Sequence, residues 1–244
     1  MYLLTFKGVY NSARLLASKL GLKVTTSVKK LEGIPPIVRY GNSSGVFTED
    51  TMYNHPDAIK LCGNSVKFSQ WAKENEIRTP LYTKFDPTVD YEFPFLLRKA
   101  RHLGGNDIVM IKNVDDLASL DTSTYYHVPF IETDSEIGVH VVNGVVVRIF
   151  RKLPTENSHP FIRSNKRGYR FSLVSNLSEN YQVAQRLVLD AFEKSGLKFG
   201  RADVAYDSKS KLYYIWELNT APGLNVNTAE LYATHLRAVI NVPE

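Results

Sequence analysis

Apolar residues recur along this chain in two rhythms, and the change between them divides the sequence. In "NSARLLASKLG", Ala13, Leu16, Ala17 and Leu20 return every three or four positions, the period of a helix with one buried face. Asn11 or Ser12 is the expected cap and Gly21 the expected stop. "GNSVKFSQWAKENEIRTP" repeats the pattern: Phe68, Trp71 and Ala72 share a face, Asn64 can cap it, and Pro80 lies beyond its end. With "YLLTF" and "PPIVRYGNSSG" as strands, residues 1–80 read as a small α/β unit.

Beyond residue 80 the period shortens. "FPFLLRKA", "DIVMIKN", "YYHVPFI" and "IGVHVVNGVVVRIFRKL" predict strands, the last one folded back at Asn143-Gly144, a hairpin dipeptide. "VDDLASL" predicts a short helix between two of them. A longer helix in "SENYQVAQRLVLDAFEKSG" turns Val183, Ala184, Leu187, Val188 and Ala191 inward and stops at Gly196. Two further strands, "FGRADVAYD" and "KLYYIWELN", are joined by a polar turn. A final helix is expected from about Thr228, where Asn227 and Glu230 stand at capping-box spacing. Strands outnumber helices and form mostly hairpins, so the fold class is α+β with antiparallel sheets.

The strand "KLYYIWELN" carries an acid and an amide near its end. Alternation puts Glu217 and Asn219 on one face, with Trp216 and Leu218 on the other. If the hairpin turns at Asp207 to Lys211, Tyr206 pairs with Leu212 and Asp203 becomes a diagonal neighbour of Glu217. A slip of one residue would separate the two acids onto opposite faces. Two carboxylates and an amide oxygen are hard ligands, suited to Mg²⁺ or Mn²⁺ and unsuited to a structural zinc. The plainer alternative is a polar strand end hydrogen-bonded to the "TAPG" turn.

Composition narrows the class. The 244 residues are 43% hydrophobic and 23% charged, ordinary for a globular protein with a real core. The single Cys62 excludes an internal disulfide and fits a reducing compartment, with the cytoplasm as the expected location. No apolar run approaches the roughly 20 residues that cross a bilayer. The N-terminal stretch, broken by Lys7, Arg14 and Lys19, has no signal-peptide core. A net charge of +5 suits a polyanion, whether nucleic acid, nucleotide or phosphorylated substrate. The densest basic stretch, "RSNKRGYR", holds Arg163, Lys166, Arg167 and Arg170 without any accompanying nucleic-acid motif.

"FGRADVAYD" followed by "YYIWELNTAPGLNVNTAELYA" resembles the C-terminal signature of the ATP-grasp superfamily. The resemblance implies an ATP-grasp fold over about residues 60 to 235: two α+β lobes with antiparallel sheets clasping ATP, preceded by a reduced α/β domain. The expected division is 1–80 for the preceding domain and 81–244 for the ATP-grasp domain, itself split into a phosphate-loop lobe (81–128) and a metal-binding lobe (129–244). By that likeness Asp203, Glu217 and Asn219 bind the magnesium ions of ATP.

"FPFLLRKARHLGGNDIVMI" looks like the family's strand and small-residue loop over the phosphates, with Gly104 and Gly105 allowing close approach. The family's lysine falls on Arg98 or its neighbour Lys99, which alternation sends to opposite faces; alignment favours Arg98. "HVPFIETDSEIGVHVVNG" resembles the hinge, where the backbone at Phe130 and Ile131 would read adenine and Glu136, or else Glu132, would hold the ribose. Many members of the family carry an arginine two residues after that acid, where this chain has Gly138. "RKLPTENSHPFIRSNKRG" resembles a segment of the ligases that add glutamate to a ribosomal protein. It implies that Arg163 neutralises the transferred phosphoryl group with help from Lys152, and that Asn165 joins the metal–phosphate shell.

The implied activity is ATP-dependent joining of a small-molecule or peptide carboxylate to an amine. The alternatives are phosphate transfer to a hydroxyl at the same site, or a basic binding protein, for nucleic acid among other partners, with a degenerate nucleotide site.

Overall fold

The computed structural model describes residues 1–31, 38–45, 53–100, 106–174 and 179–240. The first sheet is small and parallel: β1 (Tyr2–Leu4), β2 (Lys23–Thr25) and β3 (Val38–Arg39), in the order β2-β1-β3. Its helix α1 (Tyr10–Leu20) turns Ala13, Leu16, Ala17 and Leu20 inward, as their spacing predicts, and stops at Gly21 with φ 68°. The expected side-chain cap is absent. A 3-10 turn at Lys7–Val9 runs straight into the helix and leaves Val9 at the cap position. Ser12 is thereby freed, and its Oγ accepts the Leu224 N–H at 3.0 Å.

The second sheet is antiparallel: β4 (Thr83–Lys84), β5 (Phe95–Lys99), β6 (Ile108–Ile111) and β7 (Tyr125–Pro129), ordered β4-β7-β5-β6. "VDDLASL" forms only a 3-10 turn, Val114–Leu117, capped reciprocally by Asn113 and Asp116. Three residues, Phe130 to Glu132, then lead directly into the third and largest sheet.

That sheet comprises β8 (Thr133–Val142), β9 (Val145–Pro154), β10 (Tyr169–Leu173), β11 (Phe199–Asp207) and β12 (Leu212–Asn219), all antiparallel, in the order β10-β9-β8-β11-β12. The β8–β9 turn has Asn143 and Gly144 both at positive φ, the conformation that a two-residue hairpin demands. One face of the sheet packs on α4 (Glu179–Ser195) and on α3 (Ser65–Glu74), which follows the short α2 (Pro56–Cys62). Ile137, Val139, Val204 and Ile215 meet Ala184, Val188 and Ala191 there, together with Phe68 and Ala72. Each fully buried large apolar side chain stabilises the fold by about 1.5–3 kcal/mol. Val183, expected inward, is 41% exposed; Phe192, one turn beyond Val188, is buried in its stead. Asn64 caps α3 as expected, its Oδ1 accepting from both Val66 and Lys67.

The last helix, α5 (Val226–Arg237), starts two residues earlier than its expected onset. Asn225, not Asn227, is the cap and accepts the Thr228 N–H at 2.8 Å, while Glu230 reaches across to Lys19 at 2.7 Å. A second core unites α1 and the parallel sheet with Phe199, Tyr232, Ala233 and Leu236. The segment leading into the second sheet is tied to the outer edge of β12: Ile215 N–H donates to Arg78 O at 2.9 Å, and Arg78 Nε donates to Tyr213 O at 3.1 Å.

Candidate active site

Strand register decides what meets on the open face of the large sheet. The β11–β12 hairpin is one residue off the expected pairing: Asp207 pairs with Leu212 and Tyr206 with Tyr213. Continued unchanged, that register would set Asp203 opposite Trp216 and turn Glu217 to the other face. A bulge prevents this. Val204 pairs with Ile215 but Asp203 pairs with Glu217, so Trp216 is the extra residue. Ile215 and Leu218 therefore both reach the core although three residues apart, and Trp216 stays half-buried outside that cluster instead of sharing the face of Leu218. Asp203 and Glu217 end up directly opposite, not diagonal. Asn219 pairs with Arg201 on the next rung.

The same face continues across β8 and β9. Asp203 lies beside Gly138, Ala205 beside Glu136 and Arg201 beside His140, while Glu136 pairs onward with Lys152, Gly138 with Phe150 and His140 with Arg148. Lys152 is the centre of charge. Its Nζ donates to Asp203 Oδ2 at 2.9 Å and also to Glu136 Oε1. Arg201 clamps Asp203 from the other side: Nη2 donates to Oδ2 at 3.0 Å, and Nε lies 2.8 Å from Oδ1 as an ion pair without hydrogen-bond alignment.

Gly138 leaves the room for that clamp. A Cβ there would stand 3.1 Å from Arg201 Cδ and 3.6 Å from Asp203 Oδ1. The arginine absent at 138 is thus matched by one from β11 lying over the same spot. Sequence reading passed over Arg201, although its two-residue spacing from Asp203 already placed both on one face.

Burial and mutual charge set the protonation of the cluster. Burial acts to raise the Asp203 carboxyl, but Arg201 and Lys152 outweigh it and hold the group at about 2. Burial and the Asp203 charge push Glu217 up, against the pull of Arg201, Lys152 and Arg98. Glu136 is raised mainly by burial, opposed by Lys152 and, more weakly, by Arg163. Lys152 would be lowered by burial alone; Asp203 and Glu136 more than reverse this and keep it charged.

The other residues singled out in the sequence surround this cluster unevenly. Arg98 is buried on β5 with its guanidinium 5.3 Å from the Tyr82 ring centroid, and its charge acts on Glu217. Lys99 takes the opposite face and pairs with Asp107 at 3.0 Å, its side chain 40% exposed. Phe130 and Ile131 are half-buried in the three-residue connection between the sheets, Phe130 packing beside Tyr82, Leu96 and Val128. Arg163 donates to Thr133 O at the start of β8. Asn165 is exposed, and its Nδ2 bonds to Tyr169 O at 3.3 Å. Arg167 reaches Asn106 at 3.2 Å, linking the basic segment to the second sheet. Asn219 Oδ1 accepts the Ala221 N–H at 2.9 Å, so the amide also pins the turn that follows it. Gly104 and Gly105 lie outside the described residues.

A divalent cation is tested by the donor chemistry. No group of three or more His, Cys, Asp or Glu side chains among the described residues is arranged to hold a metal by itself. Two carboxylates with an amide oxygen fit instead an Mg²⁺ ion, which commonly takes one or two carboxylates and completes its shell from water and phosphate.

The chain has the ATP-grasp fold. D-alanine–D-alanine ligase from Bacillus anthracis matches over 98% of this chain and 95% of its own length, with a TM-score of 0.70 at 11% identity. The ATP-grasp ligase PsnB, solved with a minimal precursor, matches over 98% and 99%, with a TM-score of 0.68 at 12% identity. Carboxyaminoimidazole ribonucleotide synthase from Aspergillus clavatus, complexed with ATP, reaches a TM-score of 0.73 at 13% identity over 100% of this chain and 77% of its own. In sequence, the carbamoyl-phosphate synthase of Methanobrevibacter smithii is 28% identical over 184 residues, or 68% of this chain. The chain spans 47% of that relative's length. No protein-family model matches the chain. No helix among the described residues is long and apolar enough to cross a membrane.

Proposed function

We propose that this chain is an ATP-dependent carboxylate–amine ligase working through an acyl-phosphate. One observation carries the reading: Asp203 faces Glu217 across β11 and β12, with Lys152 and Arg201 closing on the same acid from the neighbouring rungs. Such a site holds fixed positive and negative groups where a triphosphate and its cation would be handled, and phosphoryl transfer depends mainly on positioning and charge neutralisation.

In this reading Asp203, Glu217 and Asn219 hold Mg²⁺ (or Mn²⁺), which would neutralise charge on the β- and γ-phosphates. The backbone at Phe130 and Ile131 reads adenine and Glu136 holds the ribose. Arg98, Gly104 and Gly105 cover the phosphates, and Lys99 stays on the outer face. The substrate carboxylate attacks the γ-phosphorus, the bond to the bridging oxygen breaks, and ADP leaves. Arg163, Arg201 and Lys152 stabilise the charge on the transferred group, with Asn165 at its edge. An amine then attacks the acyl carbonyl, a C–N bond forms, and phosphate departs. Both substrates are small molecules or peptides; the location consistent with ATP supply is the cytoplasm.

The test is an ADP-release screen of the full chain with Mg²⁺ and ATP against amino acids and peptides, followed by mass spectrometry of any product. An amide product is expected. Glu217→Ala is expected to abolish turnover (more than 100-fold, about 3 kcal/mol in barrier) while circular dichroism stays unchanged. A stable phosphorylated product, or turnover retained in Glu217→Ala, would overturn the reading.

A further inference from the structure

The face of the large sheet that carries Asp203 and Glu217 continues past Lys152 to the edge strand β10, and its chemistry changes there. Phe171 is 42% exposed and Leu173 is 56% exposed, while Phe150 is half-buried. Strand pairing gathers them into one patch, with Phe171 beside Lys152 and Leu173 beside Phe150. Leaving large apolar side chains in water beside a charged cluster forgoes the stabilisation of burying them, which singles the patch out as a contact surface.

Arg148 borders this patch. Its guanidinium lies 5.7 Å from the Phe150 ring centroid, and Nη1 donates to Thr228 Oγ1 at 3.1 Å. Thr228 stands in the first turn of α5, the helix end whose dipole favours an anion. Lys152 and Arg201 are already paired with acids, Lys152 with Glu136 and Asp203 and Arg201 with Asp203. Arg148, half-buried on the same face, has no ion-pair partner among the described residues. It shares a rung with His140 and Arg201, and two strand spacings put it about 10 Å from the Arg201 backbone.

We propose that this patch is the amine-substrate subsite and that it takes an apolar α-amino acid. The inference rests on the ligase reading and deepens it. Arg148 binds the carboxylate of the amino acid, a planar acceptor that suits its fork of donors. Phe150, Phe171 and Leu173 cover the side chain. A carboxylate held by Arg148 is kept from the γ-phosphate, so the amine is the group left to react. Its nitrogen forms the C–N bond, the carbonyl–oxygen bond to phosphate breaks with its electron pair, and the surplus amine proton passes to solvent. A polar side chain would lose water at this patch and gain no hydrogen bond in return.

Calorimetry tests this with the full chain saturated with Mg²⁺ and a non-hydrolysable ATP analogue. L-Phenylalanine and L-leucine should bind, whereas L-serine and phenylalaninol, which lacks the carboxylate, should bind at least about tenfold more weakly. Arg148→Met should weaken L-phenylalanine at least about tenfold, and Arg148→Lys should recover part of the loss. Leu173→Ser, at an exposed position, should weaken L-leucine but not glycine. Thermal melts check that each variant folds; if Arg148→Met does not, phenylalaninol and Leu173→Ser decide. If the analogue binds but the amino acids do not, or Arg148→Met binds L-phenylalanine like the parent, the subsite is refuted and the ligase reading stands. If the analogue itself does not bind, both fall.

Discussion

Asp203 accepts from Lys152 at 2.9 Å and from Arg201 at 3.0 Å, and these two bonds allow it to be buried beside both Glu136 and Glu217. Coulomb repulsion among three acids on one sheet face would otherwise oppose folding. Lys152→Met keeps the length of the side chain and removes the ammonium, leaving Glu136 and Asp203 short of a counter-charge. Breaking a buried ion pair from one side typically costs about 3–5 kcal/mol. Denaturant unfolding should show a loss of that size; a loss under about 1 kcal/mol, the range of exposed pairs, would disprove the assigned role. Asp203, Glu217 and Asn219 were legible in the sequence from alternation and ligand chemistry, and Glu136 only from the family resemblance. Arg201 was not, since an arginine among strand residues reads as a surface charge until its neighbour Gly138 is known to be bare.

Strands are easier to find than to align. Most strands of the two antiparallel sheets were visible in the sequence, though the edge strand β10 was hidden in the basic segment, and the residue opposite Asp203 depends on one insertion that alternation cannot show. "YIWELN" reads as a regular strand, and only the pairing of Asp203 with Glu217 against Val204 with Ile215 reveals Trp216 as surplus. Deleting Trp216 would let one continuous register run through the hairpin and still leave the two acids opposed. The deletion variant should fold and keep ATP turnover within about tenfold of the parent, a barrier change of about 1.4 kcal/mol. Loss of all turnover in a folded deletion variant would mean that the bend of the bulge, and not its register alone, is needed. Helix ends were misplaced for a related reason. Asn225 and Asn227 are equally good caps by type, and the chain uses the first, whose Oδ1 accepts the Thr228 N–H.

Across the whole molecule, the parallel sheet and the large sheet meet beside the site. Tyr40 stacks on Phe199 with ring centroids 6.1 Å apart, and its hydroxyl donates to Pro222 O. Gly41, at φ 74°, passes so close that an added Cβ would lie 2.6 Å from that of Ala221. Ala221 in turn supplies the N–H held by Asn219. Gly41→Ala should therefore lower stability by about 1–3 kcal/mol, from backbone strain and overpacking. It should also raise the Mg²⁺ concentration needed for half-maximal turnover; an unchanged requirement would separate this seam from the site. Periodicity could not foresee the contact, because it shows which face of an element is apolar but not what will cover it. A different tie bears on motion. Two of the links that join the second sheet to the large one lie near the acids: Arg78 is stitched to β12, and Phe130 to Glu132 run into β8. Both anchor points belong to strands that carry the acids. Under the proposed function, a tilt of that sheet over a nucleotide would be felt on β12 beside Glu217 through the first link and on β8 beside Glu136 through the second.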